Sequence, residues 1–120
     1  GDQPISHLMC PRPEVVWLST HDTRQTLLQK ITRNPHSAYP LCEGGLDRVV
    51  GLVYSKDLLI ALLSEAELDM LQHSKPVRVL PLTQPAYKVL EEFQYTGVHY
   101  GVVVDELGIV AGFVTLNDIV

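Results

Sequence analysis

Residues 38–59, AYPLCEGGLDRVVGLVYSKDLL, and residues 99–120, HYGVVVDELGIVAGFVTLNDIV, carry one pattern twice. At an offset of 61 Tyr39 falls on Tyr100, Gly51 on Gly112 and Asp57 on Asp118. Each stretch runs apolar strand, turn, apolar strand and polar helix start, which marks one supersecondary unit used twice. Upstream, Leu27, Leu28 and Ile31 match Val89, Leu90 and Phe93 at an offset of 62. The one-residue change is expected in the loop around Pro35 or Gly97, where insertions are cheap. Copies of roughly 60 residues bury too little surface to be stable alone. They are therefore expected to pack on each other, with the cleft between them as the first place to look for function.

Working outward, Pro4 to Met9 suits one short helical turn, and Pro11 and Pro13 impose an extended path into a short strand, Val15 to Leu18. Asp22 is the expected N-cap of a helix from Thr23 to Asn34 that Pro35 stops. Strands at Tyr39 to Cys42 and Asp47 to Tyr54 flank a Glu43-Gly44-Gly45 turn, and both are too apolar for a surface. Ser55 or Asp57 opens a helix through Leu58, Leu59, Leu62 and Leu63. Ser64 with Glu67 reads as a capping box before a further short helix. The second copy opens with a strand at Val77 to Leu80. Thr83 is the expected cap of a helix with Pro85 in its first turn and Gly97 at its end. Strands at Tyr100 to Val104 and Ile109 to Val114 are joined by the turn signature Asp105-Glu106-Leu107-Gly108, and Thr115 to Asp118 begins a last helix.

The order is β-α-β-β-α per copy, so the fold class is α/β, with strands of mixed direction leaning on helices (mixed α+β) and the two copies related by a pseudo-twofold axis. The expected boundaries are an N-terminal linker at 1–14, the first repeat at 15–64, a connector at 65–76 and the second repeat at 77–120. The second repeat is read as truncated before its last helix, and Gly1 as a possible scar of tag removal, so that the chain is a fragment of a longer parent.

Composition removes several classes of function. A net charge of −5 with no run of Lys or Arg provides no basic footprint for nucleic acid. No apolar run reaches the roughly 18 residues of a spanning helix, so the fragment as given reads as soluble. Cys10 and Cys42 lie outside any C-x-x-C motif and read as reduced cytoplasmic thiols. Cys42, on an apolar strand, has nothing to activate it as a nucleophile. His7, His21, His36, His73 and His99 lack the i, i+4 spacing of zinc ligands, so no metal site and no catalytic residue is assigned. Glu65, Glu67 and Asp69 read as a solvated face of the connector.

Chemistry concentrates at Thr115-Leu116-Asn117-Asp118. A strand ending at a helix start offers unpaired N–H groups that favour phosphate, and the Thr115 hydroxyl adds a donor. Asp118, one turn on, suits two ribose hydroxyls. The alternative is that Thr115 and Asp118 are an N-cap and a first-turn acid and nothing more. In the first copy Tyr54 stands where Thr115 stands in the second, so that site is degraded, although Lys56 and Asp57 remain.

The two copies resemble a pair of cystathionine β-synthase (CBS) domains, a Bateman module. The stretches Met9 to Leu18, Tyr39 to Gly44, Leu46 to Gly51, Lys56 to Leu59, and Val103 to Gly108 through Val114 to Ile119 are similar to the module of CorC-type magnesium and cobalt efflux proteins, also called haemolysin-like. The resemblance implies a non-catalytic regulatory module at the cytoplasmic face of the membrane, attached to a transmembrane domain of the parent chain and forming a homodimer through its helices. It also implies an adenine nucleotide, ATP or AMP, possibly with Mg, in the cleft between copies. The family assigns T-x-x-D to phosphate and ribose, here Thr115 and Asp118 with Asn117 between them. It completes that cleft from the other copy with Val15, Val16, Ser37, Ala38, Tyr39 and Pro40, the main chain of Ser37 to Tyr39 supplying the edge contacts to adenine. Family members often carry a basic residue near Ala38, and its absence leaves His36 and Arg12 as the nearby cations. A second, weaker cleft is expected from Tyr54, Lys56, Asp57, Val79 and His99, with His99 matched to Ala38. A module that only dimerises, with empty clefts, is the competing reading.

Overall fold

The computed structural model describes residues 3–120. Contacts divide the chain into two compact units, Val16–Val77 and the described residues up to Val15 together with Arg78–Val120. The scar reading of Gly1 falls outside the described residues.

In the first of these, β2 (Leu18–Ser19) runs parallel to β3 (Ala38–Cys42), which pairs antiparallel with β4 (Val49–Tyr54). Helices α1 (Arg24–Arg33) and α2 (Ser55–Leu63) complete it. Leu18, Leu27, Tyr39, Leu41, Val53, Leu58 and Met70 form its core. In the second, β5 (Arg78–Pro81) is parallel to β6 (Tyr100–Val104), β6 is antiparallel to β7 (Val110–Thr115), and β1 (Cys10–Pro11) joins the far edge of β7. Helix α3 (Ala86–Thr96) and the short α4 (Leu116–Ile119) lie with it, over a core of Ile5, Leu80, Val89, Phe93, Val103 and Val114. The α/β class and the doubled β-α-β-β-α order are those expected.

Register moves the break in the repeat. Ala38 opposes Tyr54 as Tyr100 opposes Thr115, and Leu41 opposes Gly51 as Val103 opposes Gly112. The first strand of each pair is thus related at 62 and the second at 61. The change of offset sits in the hairpin turn, residues 43–48 against 105–109, and not near Pro35 or Gly97. Tyr39 therefore corresponds to Gly101. Tyr39 is buried, its hydroxyl donating to the Asn34 carbonyl and accepting from the His36 N–H. At Gly101 a Cβ would meet Leu80 Cδ1 at 2.6 Å, so the second copy fills the same volume from its neighbouring strand.

Several ends differ from expectation. The strand before α1 is only Leu18–Ser19, because only these two pair with Leu41 and Cys42; Val15 to Trp17 form no strand. Thr23, not Asp22, caps α1, its hydroxyl accepting the Thr26 N–H at 3.2 Å. Asp22 is committed elsewhere, accepting from the Ser19 N–H at 2.8 Å and from Lys30 Nζ at 2.7 Å. Thr83 caps nothing, and Pro85 is itself the N-cap of α3. Gly97 closes that helix at φ 73°, a left-handed turn that suits glycine. Ser64 accepts the Ala66 N–H, but no helix follows at 65–69; a 3₁₀ turn at Met70–His73 does.

The two segments read as linker and connector both carry core. Ile5, in a 3₁₀ turn (Ile5–His7), is wholly buried in the second-copy unit, and Met70 is buried in the first-copy unit. Each is followed by a strap over the last strand of its unit: β1 on β7, and Lys75 bridged to Leu52 of β4. Strap and strand approach closely enough that glycine is required beneath the first strap and is the tightest fit beneath the second. At Gly112 a Cβ would lie 2.4 Å from the Cys10 carbonyl, and at Gly51 3.0–3.1 Å from Ser74 and Lys75.

Arg24 joins the two helices of the first copy. Its guanidinium, at the start of α1, donates to the carbonyls of Leu62 at 2.8 Å, Ser64 at 3.0 Å and Ala66 at 2.8 Å, with Ala61 at 3.4 Å. It thereby satisfies the orphan carbonyls at the C-terminus of α2 and places a positive charge at the negative end of that helix dipole. Arg24→Ala is expected to lower the unfolding free energy by about 2 kcal/mol in urea titrations. Arg24→Lys, with no planar fork to span several carbonyls, should recover less than half of it.

Candidate functional site

Strand β7 delivers Thr115 to the start of α4, held by pairing to Tyr100 and by the Leu116 N–H donating to the His99 carbonyl at 2.9 Å. Asp118 turns back on the strand end, and its Oδ2 accepts the Thr115 N–H at 2.8 Å. Thr115 and Asp118 thus form a capping box, the Thr115 hydroxyl accepting the Asp118 N–H in return, which is the N-cap and first-turn acid of the simpler reading and fixes the carboxylate in place. One of the two oxygens is engaged by the backbone; Asp118 and Asn117 are exposed and Thr115 is half-buried. A fixed, exposed carboxylate with lone pairs to spare remains a good acceptor for hydroxyl donors.

The matching corner of the first copy has the same frame with other side chains. Tyr54 pairs with Ala38, and the Ser55 N–H donates to the Ser37 carbonyl at 2.9 Å, as Leu116 does to His99. His99 therefore corresponds to Ser37, and Tyr100 to Ala38, which corrects the match of His99 to Ala38. Tyr54 fills the Thr115 position with a half-buried ring, Ser55 donates its hydroxyl to the His36 carbonyl, Lys56 is exposed and Asp57 is half-buried. Val79, on β5, is 61 % exposed. The exposed His99 ring is tilted against Phe93 at 6.5 Å.

The residues expected to frame adenine divide between the units. Val15 ends the segment that packs with the second copy; Val16 and Ser37 to Pro40 belong to the first. Because β2 pairs only with Leu41 and Cys42, the Ala38–Pro40 half of β3 has β4 on one edge and no strand on the other. In the second copy β5 covers β6 from Gly101 to Val104. A strand segment without a strand neighbour can offer backbone groups to the polar rim of a flat heterocycle, and here that segment is buried, with Ala38 4 % and Tyr39 1 % exposed. Val16 packs partly on its own core. Trp17, which sequence reasoning passed over, lies under Lys30, whose ammonium is 4.8 Å from the ring centroid and 3.1 Å from the Trp17 carbonyl. Its signal was an i, i+8 relation of Asp22 to Lys30 that crosses a helix boundary and has no sequence signature.

The two basic residues near the expected site have separate positions. Arg12 donates to the Val110 carbonyl at 2.9 Å within the second-copy unit, and the exposed His36 ring meets Tyr39 edge-on at 5.6 Å. Both cysteines are free thiols. Burial pushes the Cys42 thiol up to about 11, slightly opposed by Lys30. Burial, then the charges of Glu14 and Asp118, also raise that of Cys10. Neither is activated as a thiolate. Among the described residues no cluster of three or more His, Cys, Asp or Glu is placed to hold a metal, and no helix is long and apolar enough to cross a membrane.

Comparison with known proteins agrees with the fold. The CBS domain family model matches residues 5–64 and again 67–120. The chain is 34% identical over 114 residues to the polyamine export protein of Escherichia coli K12, covering 92% of this chain and 25% of that one. It is 32% identical over 116 residues to the magnesium and cobalt efflux protein CorC of Pasteurella multocida, covering 96% and 39%. It thus spans between a quarter and two fifths of these relatives. Among solved structures, the CBS domain of a bacterial CNNM/CorC family Mg2+ transporter in complex with ATP superposes with TM-score 0.88 at 32% identity, covering 98% and 84%. A CBS-domain pair with bound AMP from Klebsiella pneumoniae gives TM-score 0.84 at 26% identity, covering 97% and 94%.

The raised thiols predict a pH dependence. An unfolded cysteine releases its proton near 9.0 and folded Cys42 near 11, so above pH 9 the unfolded state gains charge first. Stability present below pH 9 should therefore fall as pH rises towards 11. Cys10 and Tyr39, both raised by burial, act in the same direction. Urea midpoints measured between pH 8 and pH 10.5 should decline in the wild type and decline less in Cys42→Ala.

Proposed function

The chain belongs to the CBS domain family, as a tandem pair of the kind found in CNNM/CorC transporters, and on that premise we propose that it is a regulatory module binding an adenine nucleotide. Thr115 would donate to phosphate and Asp118 accept from ribose hydroxyls, with Asn117 beside them. The main chain at Ser37 to Pro40 would supply the edge contacts to adenine, with Val15 and Val16 as apolar walls. The observation that carries this reading is the fixed, exposed Asp118 carboxylate at the end of β7, in a chain similar throughout to a domain solved with ATP.

In this reading the nucleotide is ATP or AMP, with or without Mg, and its occupancy regulates ion transport by a longer membrane protein on whose cytoplasmic face the module sits. The protein performs no catalysis itself. The weaker cleft at Tyr54, Lys56, Asp57, Val79 and His99 lacks the short hydroxyl and would bind little. The domain limits follow the repeat, 15–64 and 77–120 joined through 65–76.

A second reading has its own observation. On α2, Leu59, Ile60 and Leu63 are 56 %, 60 % and 75 % exposed, an apolar face suited to a second copy of the chain. Homodimerisation through this helix is compatible with nucleotide binding. Light scattering with Leu63→Glu tests it, the variant being expected to run as a monomer where the wild type runs as a dimer.

Calorimetry with ATP, ADP and AMP, with and without Mg2+, decides the main proposal. Binding of at least one nucleotide is expected; no heat up to millimolar ligand overturns it. Asp118→Ala should abolish binding and Asp57→Ala leave it nearly intact. Asp118→Asn, which keeps an acceptor for the Thr115 N–H, separates loss of the turn from loss of the carboxylate.

A further inference from the structure

The straps have a chain order that opposes their packing. The segment Ile5–Pro11 precedes the first copy but packs in the unit of the second, and Met70–Lys75 precedes the second copy but packs in the unit of the first. The N-terminal strap is held at several points. Ile5 is wholly buried, its N–H donates to the Gln84 carbonyl at 2.8 Å, and the Ser6 N–H reaches Leu82 at 3.2 Å. Beyond these, Cys10 and Pro11 pair with Phe113 and Gly112. Arg12 then donates to Val110, so the strap's continuation grips the start of the strand whose end carries Thr115.

Gly112 is the contact point. It lies three residues before Thr115 on β7, and its missing side chain lets the Cys10 carbonyl and Met9 Sδ come to 2.4 and 2.6 Å of where a Cβ would stand. A strand held on one edge by β6 and on the other by a strap has its end fixed; without the strap β7 becomes an edge strand with unpaired backbone along residues 112–113. The Asp118 turn is anchored on that same strand end through the Thr115 N–H. The other strap lies on β4, which ends at Tyr54, where the short hydroxyl is missing, so the two straps hold strands with different ends.

We propose that the N-terminal strap and the Thr115–Asp118 site are coupled through β7: the site is competent only with the strap docked over Gly112, and occupancy holds the strap in place. This rests on the nucleotide reading above, deepening it from binding to the route by which binding is transmitted. The only energy required is the difference in ligand affinity between strap-docked and strap-free forms.

Hydrogen exchange on the wild-type chain tests the coupling, with AMP and ATP as probes. If opening the strap abolishes binding, nucleotide at ten times its Kd slows exchange of the Ile5 and Ser6 amides about tenfold. The Leu52 and Lys75 amides, which hold the other strap, should be unchanged. Unchanged Ile5 and Ser6 exchange at saturation overturns the proposal, and so does equal slowing at both straps, which would mean that ligand acts on unfolding as a whole. Absence of binding by either nucleotide in calorimetry instead removes the underlying functional reading. As a second measurement, Gly112→Ala should lose affinity while the matched Gly51→Ala does not; equal loss in the two overturns the coupling. If Gly112→Ala fails to fold, the wild-type exchange data alone decide.

Discussion

The approach of a strap to a bare glycine is the constraint on which each unit depends. A sheet of β2, β3 and β4, or of β5, β6 and β7, has one free edge at its last strand, and the strap closes it. Closure needs the strap carbonyl within contact of the strand backbone, and a side chain at Gly51 or Gly112 would occupy that space. The buried residue that leads each strap, Met70 or Ile5, then completes the core. The glycine that made the repeat visible in sequence is thus the position at which its two straps dock.

A second shared device holds the loop before each long helix, with different side chains in the two copies. In the first copy Asp22 on the loop pairs with Lys30 on α1. At the same places, 62 residues on, Gln84 donates to Glu92, which also takes Arg78 from β5 at 2.9 Å. The geometry survives and the electrostatics do not: one copy uses an ion pair over a tryptophan, the other an amide and an arginine on one carboxylate. Divergence of this kind is what allows two similar frames to present different surfaces. The Tyr54 and Thr115 corners differ in the same way, with identical backbone hydrogen bonds and dissimilar side chains.

The class, the element order and the asymmetry between Tyr54 and Thr115 were legible because they rest on local pattern: apolar runs, glycine turns and a repeated Gly with Asp six positions on. Helix caps were less so, because an acid before a helix has rival partners; Asp22 took Ser19 and Lys30 and left the cap to Thr23. The short β2 was missed because strand length depends on which residues find a partner, and Val15 to Trp17 find none. That same shortness leaves Ala38 to Pro40 of β3 with a strand on one edge only, the part of the candidate site that no residue pattern encodes.

By itself the sequence determined that one unit occurs twice and that its copies differ where a short hydroxyl meets an acid, since both are properties of residue identity and spacing. Tertiary structure decided the register, moving the inserted residue into the hairpin and making His99 the counterpart of Ser37, because pairing is set by hydrogen bonds across strands. It also decided that the segment ahead of the first copy belongs to the core of the second. Chain order carries no information about which sheet edge a strap will close; only the fit of backbone over glycine does.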